Sequence, residues 1–335
     1  MYPLKFKPIF KTLVWGGEKI AGYKGLRIDD RNIGESWELS GVKGNESVVA
    51  NGELAGRTIT ELISEYKGRL VGKKVYEKNG TEFPLLIKFI DAMQDLSVQV
   101  HPDDALAAAR HNGSKGKTEM WYVVQAEPGA HLLSGLKSAI TPDEYIRRVE
   151  ENSITEVLND YKVHAGDVFF LPAGRIHAIG AGTFVAEIQQ TSDITYRIYD
   201  YGRPGLDGKP RELHTELAKD AIDYTVYPDY RTEYEAGTDK ETVLVDCDYF
   251  TTSLYDLSKP FTRDLRDIDS FLAVICIEGE GSVADAEPLS ENGPTKGHVI
   301  DIRRGETVLI PASSVGVTFK PAAGSRLKLL TSRIR

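Results

Sequence analysis

The stretch VHAGDVFFLPAGRIH, Val163 to His177, constrains this chain more than any other. Gly166 and Pro172 enclose five residues, Asp167 to Leu171, whose paired phenylalanines suit a short buried strand. Pro172, Ala173 and Gly174 then impose a sharp turn, because proline cannot continue a central ladder and glycine accepts backbone that other residues avoid. One imidazole, His177, follows. In a small β-barrel this geometry puts His177 at the barrel mouth, pointing inward. The bland reading is a tight turn followed by an ordinary surface or core histidine, and the stretch alone leaves both open.

The surrounding chain has 335 residues, ample for two cores, since single domains commonly take about 100 to 200. With 41% hydrophobic and 27% charged residues it has the balance of an ordinary globular protein. A formal charge of −9 argues against nucleic-acid or membrane partners, which need a basic face to displace counterions. A small phosphorylated ligand needs only local cations and stays admissible. The start, MYPLKFKPIF, holds no long apolar run and no membrane-length run follows, so the expectation is a cytoplasmic protein. Cys247 and Cys276 lack a CxxC spacing, which fits a reducing compartment and excludes a cysteine-based zinc site.

Read in order, the chain is mainly short strands broken by glycine. Lys5 to Phe10, Glu35 to Gly41, Phe83 to Ile90 and Leu96 to Val100 carry strand patterns, with a turn expected at Trp15-Gly16-Gly17. Thr58 to Tyr66 has helical periodicity behind a threonine cap, and Asp103 can cap a short helix from Asp104 to Arg110. Two helical insertions are expected, at about 141–160, opened by Thr141-Pro142-Asp143-Glu144, and at 211–224, where Leu213, Leu217, Ala221 and Tyr224 form a stripe. A polar connection then leads into a final all-β segment that repeats the first in weakened form. In RRGETVLIPASSVGVT, Gly305 and Pro311 again enclose five residues, but Gly316 stands where the first copy has His177. These patterns predict a mainly β chain of two barrels, residues 1–238 with the insertions and 239–335 without a metal, and the resemblance given below implies that both are jelly rolls.

Gln99 and His101 are two apart and leave a strand on one face, and Lys117 and Glu119 stand in the same relation. With His177, a barrel interior could gather two neutral imidazoles, one carboxylate and one amide oxygen, donors that suit Zn²⁺. Asp193 and Arg197, four apart in an alternating stretch, can converge on the same space or form a plain ion pair.

Together these elements give the resemblance its specificity. The G-x5-P-x-G-x2-H spacing resembles the second motif of the cupin superfamily of metal-holding jelly rolls, although Ala181 replaces the asparagine that usually closes it. QVHPDD at 99–104, Lys117-Thr118-Glu119 and TSDITYRIYDYGR at 191–203 occur in the order found in type I mannose-6-phosphate isomerases of the compact bacterial form. The resemblance implies an isomerase interconverting mannose 6-phosphate and fructose 6-phosphate, with one Zn²⁺ per chain held by Gln99, His101, Glu119 and His177. It implies catalytic roles for Lys117, Asp193 and Arg197 and contacts from Ser97 and Lys88 to the sugar phosphate. Such chemistry moves a proton between neighbouring carbons and needs a base and charge stabilisation without electron transfer, which suits zinc. Two other readings stay open: a non-haem iron dioxygenase, from the two histidines and one carboxylate, and a non-catalytic sugar-phosphate-binding protein.

Overall fold

The computed structural model describes residues 1–28, 31–286 and 297–335. It is mainly β, with short helices at the margins. Two antiparallel sheets carry the first part of the chain. One runs in the order Ile9–Gly17, Ile33–Ser40, Leu85–Asp91, Thr183–Gln190, Glu119–Ala126 and Val168–Leu171. The other runs Tyr196–Tyr199, Val98–Val100, His177–Ile179, His131–Leu136 and Leu158–Lys162. Between them lies an apolar cluster that includes Trp15, Ile90, Trp121, Leu132, Phe169 and Ile179, drawn from both.

Leu85–Asp91 is buried at every residue, and its two faces meet different neighbours. Leu85, Ile87 and Phe89 join a core with Ile59, Leu62 and Ile63 of a capped helix, with Ile275 and Leu330 of the C-terminal strands, and with Phe271 just ahead of one of them. Leu86, Lys88 and Ile90 leave the other face by the two-residue alternation of a strand, toward the opposing sheet. The near-continuous apolar run is thus a strand covered on both sides, and Lys88 is its inward-facing exception.

The C-terminal strands form a third sheet on the path Leu4–Lys5, Thr307–Ile310, Leu272–Ala286, Leu327–Arg333, Thr251–Leu257 and Glu241–Asp246. Leu272–Ala286 serves two sets of partners, with Thr307–Ile310 near its start and Val299–Arg303 and Gly316–Pro321 along its second half. Gly279 sits between them at φ 80°, where a Cβ would lie 1.9 Å from the Arg326 carbonyl oxygen, so only glycine permits this close approach.

The helix Ile59–Tyr66 has a complete capping box between Thr58 and Glu61, an arrangement contributing about 1 kcal/mol. Asp104–Arg110 is capped by Asp103. The insertions are shorter than expected. Pro142–Glu150 is helical, but Asn152 turns left-handed at φ 56°, and a short 3-10 turn and the strand Leu158–Lys162 follow. The second insertion is helical only over Thr215–Ala221. Its first residues are held elsewhere, because Arg211 pairs with buried Asp200 and His214 Nδ1 accepts the Arg197 backbone N–H. The Trp15-Gly16-Gly17 turn lies within a strand end, and helices at Lys19–Lys24, Gly68–Val71 and Lys73–Asn79 were not expected. Among the described residues no helix is long and apolar enough to cross a membrane.

Candidate metal centre

Strand register assembles the site. Across the five-stranded sheet Arg197, Gln99, His177 and Ser134 are direct neighbours, so their side chains share one face. Across the six-stranded sheet the corresponding row is Trp37, Lys88, Glu187 and Trp121. The rows meet where the Trp121 and His177 rings contact edge to face, with centroids 5.2 Å apart. His101 lies one residue past the end of its strand, Glu119 opens its strand, and Lys117 precedes it by two residues.

Backbone carbonyls fix both imidazoles. His101 Nδ1–H donates to the Ile194 carbonyl at 2.9 Å, and His177 Nδ1–H donates to the Arg175 carbonyl at 2.8 Å. Each ring therefore turns an unprotonated Nε2 inward. The donor atoms of His101, Glu119 and His177 all lie within 4.8 Å of one another. His177 Nε2 faces Glu119 Oε1 at 3.3 Å, lone pair toward lone pair, and that buried oxygen has no hydrogen-bond donor. Two acceptors facing each other in a dry interior are costly unless a proton or a cation lies between them, and two imidazoles with a carboxylate are a donor set that fits a metal. Gln99 turns its amide nitrogen, Nε2, to 3.3 Å from the same His177 Nε2, so the N–H donates there, and exchanging the two ends of the amide would bring its oxygen to this place.

Burial and neighbouring charge keep the two imidazoles neutral, in metal-binding form. Burial, reinforced by the Lys117 ammonium, holds His101 well below the usual histidine range and brings His177 down to about 3. Burial and the negative Glu187 push Glu119 up, opposed by Lys117. Glu187 is also penalised by burial, but Lys117 and Lys88 overcome this and hold it ionised. Lys117 Nζ donates to Glu119 Oε2 at 2.6 Å and to His101 Nε2 at 3.1 Å, and lies 3.8 Å from Glu187 Oε1.

Above this buried cluster opens a cavity of about 600 Å³, lined by Ser97, Gln99, Lys88, Lys117, Asp193 and Arg197 among others. All nine residues singled out from the sequence thus fall at one place, although two differ from expectation. Asp193 is exposed on the loop before Tyr196–Tyr199 and is not a strand residue. Lys88 is buried and ion-paired with Glu187 at 3.0 Å and Glu35 at 3.5 Å, so its charge is already engaged. Arg197 keeps a buried Nε without a partner, while one of its terminal nitrogens donates to the Glu212 carbonyl at 2.9 Å. Sequence reasoning missed Glu187, Glu35, Trp37 and the rim residue Arg211. The available signal for Glu187 was a lone acid inside the otherwise uncharged strand TFVAEIQQ.

Residues 4–161 match the family model of the phosphomannose isomerase type I catalytic domain. Mannose-6-phosphate isomerase ManA of Bacillus subtilis (strain 168) is 37% identical over 311 residues, 92% of this chain and 93% of the relative. The crystal structure of the mannose 6-phosphate isomerase from Bacillus subtilis superposes with a TM-score of 0.86 at 30% identity, covering 100% of both chains. A more distant structure, of a mannose 6-phosphate isomerase bound with zinc and yttrium, shares the fold with a TM-score of 0.75 at 16% identity and covers 100% of both chains.

Proposed function

This chain belongs to the type I phosphomannose isomerases and is an isomerase, and from that premise we propose that it interconverts mannose 6-phosphate and fructose 6-phosphate with one bound zinc ion. The observation that supports the zinc assignment is the His177 Nε2 facing the donorless Glu119 Oε1, with the His101 Nε2 turned to the other oxygen of the same carboxylate. His101, Glu119 and His177 would hold the ion, and Gln99 would be the fourth donor with its amide turned so that the oxygen faces inward. One carboxylate among neutral donors leaves the centre roughly one positive charge. Bound zinc supplies a Lewis acid without redox chemistry for the oxygens on the two reacting carbons.

The reaction removes a proton from one of these carbons and returns it to the other through an enediol. Lys117 and Glu187 stand at the cavity floor beside the metal ligands and are the acid–base groups of this reading. Asp193, out on the rim loop, orients the open sugar chain. Arg197, on the cavity wall, offers its guanidinium to developing negative charge on the sugar, and Arg211 adds a second cation for the phosphate dianion. Ser97 contributes a hydroxyl to the same wall. Lys88 acts at one remove, by holding Glu187 ionised. Residues 1–238 form the catalytic unit of this reading and 239–335 a supporting unit without a metal.

The rim arginines and Lys117 favour this reading over an oxygen-activating iron centre, because they suit an anionic sugar. A coupled assay on mannose 6-phosphate, with and without chelator, tests it. Turnover should be lost with chelator and restored by zinc. Unchanged turnover after complete metal removal would refute the zinc assignment. Tight binding of mannose 6-phosphate without any turnover would favour the sugar-phosphate-binding alternative.

A further inference from the structure

The turn that presents His177 is held from outside by a segment that belongs to none of the site motifs. Arg175 supplies the carbonyl that accepts the His177 Nδ1–H at 2.8 Å, so the orientation of that imidazole follows the orientation of the Arg175 peptide. The Arg175 guanidinium packs against two tyrosine rings, 4.3 Å from the centroid of Tyr230 and 5.0 Å from that of Tyr227. Both rings are tied down. The Tyr230 hydroxyl donates to the Leu136 carbonyl at 2.9 Å and accepts the Tyr227 backbone N–H at 3.0 Å, and the Tyr227 hydroxyl donates to Asp223 at 3.0 Å.

The backbone repeats the link. Asp223 N–H donates to the Gly174 carbonyl, and Gly174 N–H donates to the His101 carbonyl, both at 2.9 Å. Gly174 takes φ 90° to do so, and an added Cβ would lie 3.1 Å from the Ala221 carbonyl oxygen. On the other side Gly135 N–H donates to the Ile176 carbonyl at 2.8 Å, and a Cβ at Gly135 would lie 2.1 Å from the Tyr230 ring. The strand carrying Gly135 is thus cleared to seat this ring. One chain of contacts therefore runs from residues 223–230 through the Pro172–Ile176 turn to His177 and the carbonyl of His101.

We propose that Arg175, Tyr227 and Tyr230 are positioning residues for the metal centre: a guanidinium clamped against two aromatic rings sets the affinity for zinc by fixing the carbonyl that orients His177. The inference rests on the zinc reading above. A flat guanidinium matches the face of a ring as a compact ammonium does not, so Arg175→Lys should fail to restore what Arg175→Met loses.

The test is zinc affinity by chelator competition, paired with thermal melting of the metal-free protein. Arg175→Met and Tyr230→Leu should each weaken zinc binding by about tenfold to a hundredfold, the range for partners that orient a ligand. The double variant should be little worse than the weaker single one, because both changes break the same clamp. Tyr230→Phe keeps the ring and should stay within about threefold of wild type. Wild-type affinity in Arg175→Met and Tyr230→Leu would overturn the proposal. So would losses equal in Tyr230→Phe and Tyr230→Leu that only follow the melting temperature. Wild-type protein that takes up no zinc would overturn the zinc reading and this inference together, a result distinguishable from failure of the clamp alone.

Discussion

Gly166 and Gly305 both take left-handed backbone, at φ 97° and 82°, and each leads into a four-residue strand, Val168–Leu171 or Thr307–Ile310. Pro172 and Pro311 follow these strands, and the next strand begins at His177 in one case and at Gly316 in the other. The backbone plan is shared, and the surroundings are not. Beside His177 stand Gln99, Trp121 and Glu119, whereas the C-terminal core is built from residues such as Tyr255, Leu257, Val274, Val308 and Phe319. A Cβ at Gly316 would meet the Arg263 carbonyl oxygen at a tight 3.3 Å and the Ala286 Cβ at 3.7 Å. A turn with this spacing is thus a structural device first. In the reading proposed above, the opposing sheet's carboxylate, Glu119, is what would make the first turn a metal site.

His177→Ala makes the first stretch resemble the second and should have the largest effect. Zinc content should fall from about one per chain to near zero, and turnover by on the order of a thousandfold or more, while circular dichroism shows the fold retained. Normal turnover in this variant would end the account.

The comparison also shows what was legible in the sequence. The His177 turn could be read because glycine and proline obey local backbone rules, and Gln99 and His101 because strand alternation is local as well. Glu187 could not, since its role depends on pairing with Lys88 across a register that no local pattern encodes. The overlong second insertion has the same origin. Leu217, Ala221 and Tyr224 of its expected stripe do pack against a core cluster, but Leu213 is exposed and precedes the helix, where Asp200 captures Arg211. Leu4–Lys5 pairs with Thr307–Ile310 from the other end of the chain, a contact beyond any window of sequence.

Arg197→Ala separates holding the metal from using it. Zinc content should stay at the wild-type level while kcat/KM falls by about a hundredfold to a thousandfold, the usual loss on removing an oxyanion partner. Loss of zinc in this variant would place Arg197 among the groups that build the centre.

Lys88→Met asks whether the polar row facing His177 costs stability when broken. Its ammonium is buried beside Glu187 and Glu35, and removing one partner of a buried pair typically destabilises by about 3 to 5 kcal/mol. Urea denaturation would measure this, and a loss below about 1 kcal/mol would mean that Lys117 alone suffices for Glu187.

Gly316→His runs the comparison backwards and should have the smallest effect. A side chain there crowds the Arg263 carbonyl, at a cost of about 1 to 3 kcal/mol, and should add no zinc to the wild-type content. A second equivalent of bound zinc would show that the turn alone, without an opposing carboxylate, makes a site.

The most direct test is a crystal of the zinc-loaded protein measured across the zinc absorption edge. The account predicts one anomalous peak per chain, in contact with His101 Nε2, Glu119 and His177 Nε2. An empty map at that point, or a peak elsewhere with these three side chains still bonded only to protein, would contradict it.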